Sequence, residues 1–164
     1  MLICSTDSRF LLLQSNQQPM RAKTVFTLNS PVVDFCFNGS IIAAATMDHS
    51  IRLFNPQVSY LYANASDRCC YKPNEMCRIQ GLEMCKMKVG SFILSVTWVE
   101  MKQHDTYLLA VSLANGAVQL YKHASMVGQF DVDAAQPVAF MVSGRFSRED
   151  DVLIMLSNGL TKLL

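Results

Sequence analysis

Three histidines, His49, His104 and His123, carry the side chains best suited to acid–base catalysis. An imidazole titrates near neutral pH, but catalysis also needs a nucleophile or a second acid arranged around it. No nucleophile signature lies near any of the three. The Asp48–His49 pair lies in a turn, where a structural role is favoured, and His104–Asp105 lies in a polar loop. The sequence also has no P-loop, GxSxG or HExxH motif. We therefore predict that the chain is not an enzyme.

The cysteines are the second group that could do chemistry. Zinc sites usually place two thiolates two to four residues apart, whereas the spacings here are one, seven and eight residues in the densest region. Because no secretion signal is present, reduced thiols are favoured over disulfides. We predict no metal and no cofactor, with Cys4 and Cys36 packed in strands as small core residues. The others are Cys69, Cys70, Cys77 and Cys85.

Composition narrows the possible functions further. Apolar residues make up 51% of the chain and charged residues only 16%, which favours buried strands. With 14 basic and 13 acidic residues, the charge balance does not indicate nucleic-acid binding. The sequence has no signal peptide and no apolar run long enough to cross a bilayer. We expect a soluble intracellular protein.

The most concentrated charged segment, GRFSRED, begins at Gly144 and combines two arginines, two acids and an aromatic ring. Its simplest interpretation is a solvated loop between two strands. A mixed-charge loop with an aromatic residue also suits a specific protein contact. We therefore consider its side chains candidates for partner binding: Arg145, Phe146, Ser147, Arg148, Glu149 and Asp150.

The elements that would position this loop form an internal repeat. Each unit has an apolar strand, a polar loop, a strand of small apolar residues, a tight turn and an alternating strand. The units read PVVDFCFNGSIIAAATMDHSIRLFN at 31–55, ILSVTWVEMKQHDTYLLAVSLANGAVQLYK at 93–122 and PVAFMVSGRFSREDDVLIMLSNGLTKLL at 137–164. Short Val-, Ile- and Phe-rich segments of this kind predict strands and not helices.

Tight turns recur at the same place in each unit. The aligned positions Asp7, Asp48, Asn115 and Asn158 are separated by 41, 67 and 43 residues. Two of these spacings match the 40–45 residues of a four-stranded propeller blade. Asn-Gly pairs predict type I′ hairpins, with positive φ at both central residues. We assign structural roles to the turn residues Asp48, Asn115, Gly116, Asn158 and Gly159, and to Met155, which lies in a strand predicted to be buried on both faces.

The fold prediction is an all-β, partial β-propeller of WD-like four-stranded antiparallel blades; a generic β-sandwich is the alternative. From the repeats we predict an incomplete blade at 1–30, a blade at 31–55, an inter-blade insertion at 56–80, a blade at 81–122 and the last blade at 123–164. Propellers usually close with four to eight blades, so we expect this sequence to be part of a larger one.

The segment from Leu109 to Gly159 resembles the end of the N-terminal β-propeller of the Bardet–Biedl syndrome 1 family. The likeness is carried by the Leu-Ala-Asn-Gly turn at 113–116, the strand at 117–121, GRFSRED at 144–150 and Leu-Ile-Met at 153–155. The first 55 residues fit the family loosely, and 56–78 has no counterpart in it.

This resemblance implies a non-enzymatic scaffold of the BBSome, which moves membrane proteins through cilia. It implies contacts with other BBSome subunits and with a GTP-bound Arf-like small GTPase, whose site the family's first and last blades form. It also implies that a membrane is reached only indirectly, through the complex. The implied location is the cytoplasm, the cilium and the ciliary base. The alternatives are a WD-repeat-like subunit of another coat or adaptor complex and, less favoured, a propeller hydrolase. A hydrolase would need a cluster of acids or histidines at the central channel.

Overall fold

The computed structural model of the chain describes residues 2–14, 21–55, 83–101, 106–132, 136–144, 151–156 and 161–163. In these residues the regular secondary structure is entirely β-strand, which confirms the predicted all-β fold class. The strands are β1 (Leu2–Cys4), β2 (Arg9–Gln14), β3 (Arg21–Thr27), β4 (Val32–Phe37), β5 (Ile42–Thr46), β6 (Ser50–Phe54), β7 (Glu83–Lys88), β8 (Ile93–Met101), β9 (Thr106–Leu113), β10 (Ala117–Lys122), β11 (Ser125–Asp131), β12 (Val138–Gly144), β13 (Asp151–Leu156) and β14 (Thr161–Leu163).

Over the described ranges these strands form four antiparallel sheets of consecutive strands. Sheet 1 contains β1–β3, sheet 2 contains β4–β7, sheet 3 contains β8–β11 and sheet 4 contains β12–β14. The first strands of sheets 2, 3 and 4 lie side by side, with β8 between β4 and β12. The sheets therefore extend outward from adjacent inner strands, which is the arrangement of propeller blades.

Strand pairing places the blade boundaries differently from the sequence prediction. β7 pairs with β6 from Ser50↔Lys88 to Phe54↔Glu83, so the segment 56–82 connects two strands of one blade and does not separate two blades. Likewise β11 pairs with β10 and belongs to sheet 3, not to the last blade. Both β7 and β11 are outer strands with many exposed side chains, and they lack the apolar pattern that marks the inner strands.

The hairpin turns recur as predicted, but their type is different. Ser8, His49 and Gly116 have φ values of 63°, 58° and 87°. Each donates its N–H to the carbonyl three residues earlier, at 2.9, 3.1 and 3.0 Å. This is a type I turn followed by one left-handed residue, the usual three-residue hairpin loop, and not the predicted type I′ turn. Glycine occupies the left-handed position in only one of the three turns, at Gly116. The Asn-Gly pair was therefore a misleading guide to the turn type.

Each left-handed residue also forms a backbone hydrogen bond with the residue that follows the outer strand of the same blade. The carbonyl oxygens of Ser8, His49 and Gly116 accept hydrogen bonds from the amides that follow the outer strands. Those donors are Leu28, Val89 and Val132, at 3.1, 3.0 and 3.2 Å. The same two backbone hydrogen bonds therefore recur at the equivalent turn of sheets 1, 2 and 3, in agreement with the sequence repeat.

Apolar layers fill the spaces between neighbouring sheets. β5, at Ile42–Thr46, is buried at all five positions because it lies in the middle of a blade that is covered on both faces. Its run of three alanines keeps the blade thin, so that larger side chains of the adjacent sheets pack against it. No helix long and apolar enough to cross a membrane occurs among the described residues.

Candidate functional site

The predicted partner-binding side chains, Arg145, Phe146, Ser147, Arg148, Glu149 and Asp150, lie outside the described residues, as do Asn158 and Gly159. The described flanks show where the segment is attached. Gly144 ends β12, Asp151 begins β13, and the two residues are paired across the hairpin. Met155 lies in β13, in register with Phe140 of β12.

The strands of the sheets end at two opposite edges, which we call rims, and the Gly144–Asp151 pair lies at one of them. The inner strands of sheets 2, 3 and 4 end at Phe37, Met101 and Gly144, and we call this edge the loop rim. The turns that contain Ser8 and His49, together with the equivalent turn of sheet 3, lie at the opposite edge, the turn rim. The 145–150 loop therefore begins and ends on the loop rim, where the segment 56–82 also leaves sheet 2.

Toward the turn rim, polar side chains join the inner strands of successive sheets. The Asp34 Oδ2 atom of β4 accepts hydrogen bonds from the Ser95 hydroxyl and the Val96 amide of β8, both at 2.8 Å. Ser95 Oγ in turn accepts from the Met141 amide of β12 at 3.3 Å. One continuous chain of hydrogen bonds thus connects three blades.

This chain of hydrogen bonds depends on a β-bulge repeated in each inner strand. The pairing register shifts between Val32 and Asp34, between Ile93 and Ser95, and between Val138 and Phe140. A bulge redirects the side chain that follows it. In sheets 2 and 3 that side chain is a hydrogen-bond acceptor aimed at the next blade, whereas in sheet 4 it is Phe140, which is half-exposed. Sequence reasoning missed Asp34 and Ser95, although their equivalent places in the repeats were a usable signal.

Asp48, assigned a structural role from the sequence, lies in the β5–β6 turn within a group of polar and charged side chains. Its carboxylate accepts hydrogen bonds from the Thr46 hydroxyl at 2.5 Å and from Lys86 Nζ at 3.0 Å, and Arg52 lies 3.4 Å away. The Thr46 hydrogen bond, with smaller contributions from Lys86 and Arg52, holds the pKa of Asp48 well below its usual range, although partial burial opposes the shift. Asn115, at the equivalent turn position, accepts from the Ala117 amide at 3.2 Å.

The depressed pKa of Asp48 predicts a pH-dependent contribution to stability. A carboxylate with a lowered folded-state pKa stabilises the fold above its unfolded pKa of about 3.9, and this stabilisation is lost as the pH falls below that value. Because the side chain is 36% exposed, Asp48→Asn should reduce the free energy of unfolding by only about 0.5–1 kcal/mol at pH 7. Urea unfolding of both proteins from pH 7 to pH 3 should show the difference shrinking; a constant difference would contradict this assignment.

The other groups considered for chemistry are dispersed in the structure. Cys4 and Cys36 are partly buried against the apolar layers, as predicted, and Cys85 is a free thiol of β7. Burial, with a smaller effect of the Asp34 charge, raises the pKa of the Cys36 thiol. No group of three metal-binding side chains occurs in the described part of the chain. His49 and His123 lie in turns, while Cys69, Cys70, Cys77 and His104 lie outside the described residues.

Comparison of the sequence with known proteins supports the predicted resemblance. No family model matches the chain. The chain is 26% identical over 80 residues to BBSome complex member BBS1 of Mus musculus, a match that covers 49% of this chain and 13% of that protein.

Solved structures match nearly the whole chain. Two crystal structures of BBS1N in complex with ARL6DN cover 99% of it, with TM-scores of 0.69 and 0.71 at 17% and 18% identity. The chain spans 42% and 45% of those proteins. Raptor of Chaetomium thermophilum matches with a TM-score of 0.67 at 15% identity, over 99% of this chain and 14% of that one.

The fold and the repeated hydrogen bonds between its sheets define this chain as a run of β-propeller blades. The sequence and structure matches together confirm the more specific resemblance, to the N-terminal propeller of the BBSome subunit BBS1.

Proposed function

We propose that this chain is a non-enzymatic binding scaffold of a BBSome-type complex and that it engages a GTP-bound Arf-like small GTPase. The observation that supports this most strongly is the fold match over 99% of the chain to BBS1N, which was crystallised in complex with ARL6DN. The sequence match to a BBSome complex member points to the same group of proteins. On this proposal the chain acts in the cytoplasm, at the ciliary base and in the cilium, and also contacts other BBSome subunits.

The architecture suits a scaffold because successive blades are joined to one another. Hydrogen bonds link β4 to β8 and β8 to β12, and apolar layers fill the spaces between the sheets. A framework joined in this way can receive a partner without rearrangement of its strands, which reduces the cost of binding. The 145–150 loop starts from the paired residues Gly144 and Asp151 on this framework.

The arginines of this loop supply the chemistry of the proposed contact. A guanidinium group forms paired hydrogen bonds with a carboxylate in a fixed geometry, which favours specific protein recognition. We propose that Arg145 and Arg148 bind acidic side chains of the GTPase and that Phe146 supplies an apolar contact. Ser147, Glu149 and Asp150 complete the loop that the GTPase contacts.

The test is a binding titration of the full-length protein with ARL6 loaded with a GTP analogue or with GDP. Arg145→Ala and Arg148→Ala should each weaken the GTP-state complex about tenfold or more, because truncating a desolvated interface arginine typically costs 2 kcal/mol or more. Arg9→Ala is a suitable control, since Arg9 is a half-exposed arginine of the turn rim paired with Asp7 at 2.6 Å. Its binding should match that of the wild type.

Two results would contradict this proposal. If the wild-type protein does not distinguish the GTP state from the GDP state, the chain is not a GTP-dependent receptor. If it does so but both loop variants bind normally with unchanged melting temperatures, the GTPase contacts another surface.

A further inference from the structure

Exposed apolar side chains are concentrated on one outer strand, β11. In the described part of the chain nine large apolar side chains are exposed, and three of them lie on β11: Met126 at 55%, Val127 at 54% and Phe130 at 37%. The other six are spread over six different strands and turns: Phe37, Met47, Met84, Met101, Tyr107 and Phe140. Phe140 lies at the inner-strand bulge, whose equivalents in sheets 2 and 3 face the next sheet, so its exposure concerns the space between sheets. Because clustered apolar side chains indicate a binding surface more often than isolated ones do, β11 is the strongest candidate.

β11 is the outer edge strand of sheet 3, whose strand order is β11-β10-β9-β8. Among the described residues it is paired on one side only, so the backbone groups of its other edge are available to a further strand. Phe130 is opposite Val118, which packs toward sheet 4, and Met126 is opposite Tyr121, which packs toward sheet 2. Opposed residues of an antiparallel pair share a face, so apolar side chains flank this edge on both sides.

The equivalent outer strand of sheet 2, β7, shows that the fold does not require an apolar edge. Both outer strands have a bulge at the same place in their pairing, which makes Met84 equivalent to Val127. In the same alignment Lys86 is equivalent to Gln129. Charged side chains on an edge strand hinder its pairing with another chain, and β7 carries three of them: Glu83, Lys86 and Lys88. The stretch 125–130 of β11 carries none.

The charges that flank β11 have opposite signs at its two ends. Lys122 and His123 lie exposed at the hairpin end, and Asp131 lies exposed at the other end. None of the three makes a salt bridge within the part of the chain that the structure describes. Two β11 strands placed side by side in antiparallel orientation bring the acidic end of each copy toward the basic end of the other. A parallel arrangement would instead bring like charges together, which is unfavourable.

We propose that β11 is a self-association edge, through which two copies of this chain pair about a twofold axis with their β11 strands antiparallel. Sheet 3 of one copy then continues into sheet 3 of the other, and the same surface is used twice. Met126, Val127 and Phe130 become covered at this contact. An interface one strand wide is small, so the dimer is reversible and forms at high protein concentration. The proposal does not depend on binding of a GTPase.

Sedimentation equilibrium of the full-length protein over a wide concentration range tests this pairing. The wild type should show a monomer–dimer equilibrium, and Val127→Lys should raise the dimer Kd at least about tenfold, because each copy brings an unpaired charge to the shared edge. Met84→Lys is the matched control, since it makes the same change at the equivalent place of β7, where the side chain is 57% exposed. Its Kd should stay within about twofold of the wild type, because β7 lies outside the contact. At low concentration all three proteins should have the same melting temperature.

Exchange of the flanking charges tests the antiparallel direction. Lys122→Glu and Asp131→Lys should each weaken the dimer, because each brings like charges together. The double variant Lys122→Glu/Asp131→Lys restores opposite charges and should recover most of the affinity. A double variant weaker than both single variants would exclude the antiparallel arrangement.

Three results would overturn the proposal as a whole. The first is a full-length protein that stays monomeric at every concentration. The second is a dimer whose Kd is unchanged by Val127→Lys, and the third is a dimer that Met84→Lys weakens equally. If Val127→Lys lowers the melting temperature, Gln129→Lys takes its place in the same measurement, since it introduces the charge that Lys86 supplies on β7, and an unchanged Kd for it has the same meaning.

Discussion

Replacing Phe10 with alanine is expected to reduce the free energy of unfolding by about 3–5 kcal/mol. Phe10 belongs to β2 and is completely buried between sheets 1 and 2. Its ring meets Phe35 of β4 edge to face, with the ring centroids 5.2 Å apart and the planes at 83°. The substitution removes this contact and leaves a cavity lined by residues held in two different sheets, which limits collapse around it.

Chemical denaturation of the full-length protein measures this effect, and Phe37→Ala is the matched control. Phe37 is the same residue type, but its side chain is 47% exposed, so its loss should cost less than about 1 kcal/mol. A double-mutant cycle of Phe10 and Phe35 should give a coupling energy of about 0.5–1.5 kcal/mol for the aromatic pair. Similar losses for Phe10→Ala and Phe37→Ala would show that the first two sheets do not pack as described.

Replacing Asp34 with alanine should have the second-largest effect, about 2–4 kcal/mol, because the loss leaves buried donors without an acceptor. The Val96 amide and the Ser95 hydroxyl both donate to the Asp34 carboxylate, and both of these residues are at least 97% buried. Alanine at position 34 cannot replace these hydrogen bonds, and the carboxylate that it removes is partly buried between two blades.

The double variant Asp34→Ala/Ser95→Ala separates a shared network from two independent effects. If the residues act together, the double variant should be less destabilised than the sum of the single variants, because the Ser95 hydroxyl is no longer left without its acceptor. Asp131→Ala, an exposed acid of the outer strand β11, should change stability by less than about 0.5 kcal/mol. Strict additivity, or a loss for Asp34→Ala no larger than that of Asp131→Ala, would exclude the inter-blade role.

Several features of the fold followed from the sequence because they depend on local physics. The apolar inner strands, the recurring Asp and Asn turn positions and their spacing predicted antiparallel four-stranded blades, and β4–β7 and β8–β11 have that form. Period-2 alternation reports burial within one strand, and turn residues report local backbone preference, so neither requires knowledge of distant neighbours. The turn at 113–116, the strand at 117–121, GRFSRED and Leu-Ile-Met at 153–155 were also enough to indicate the resemblance to BBS1.

Tertiary structure alone decided which strands form a blade and how blades are joined. β7 lies 28 residues beyond β6 in the chain, and its exposed side chains carry no local sign that it completes sheet 2. Asp34 and Ser95 look like ordinary strand residues until the bulges turn them toward the next blade. Thr97 and Val99 face sheet 4 only because β8 lies beside β12. Each of these features is a contact between segments distant in sequence, which no local pattern encodes, and its energy exists only once the sheets are packed together.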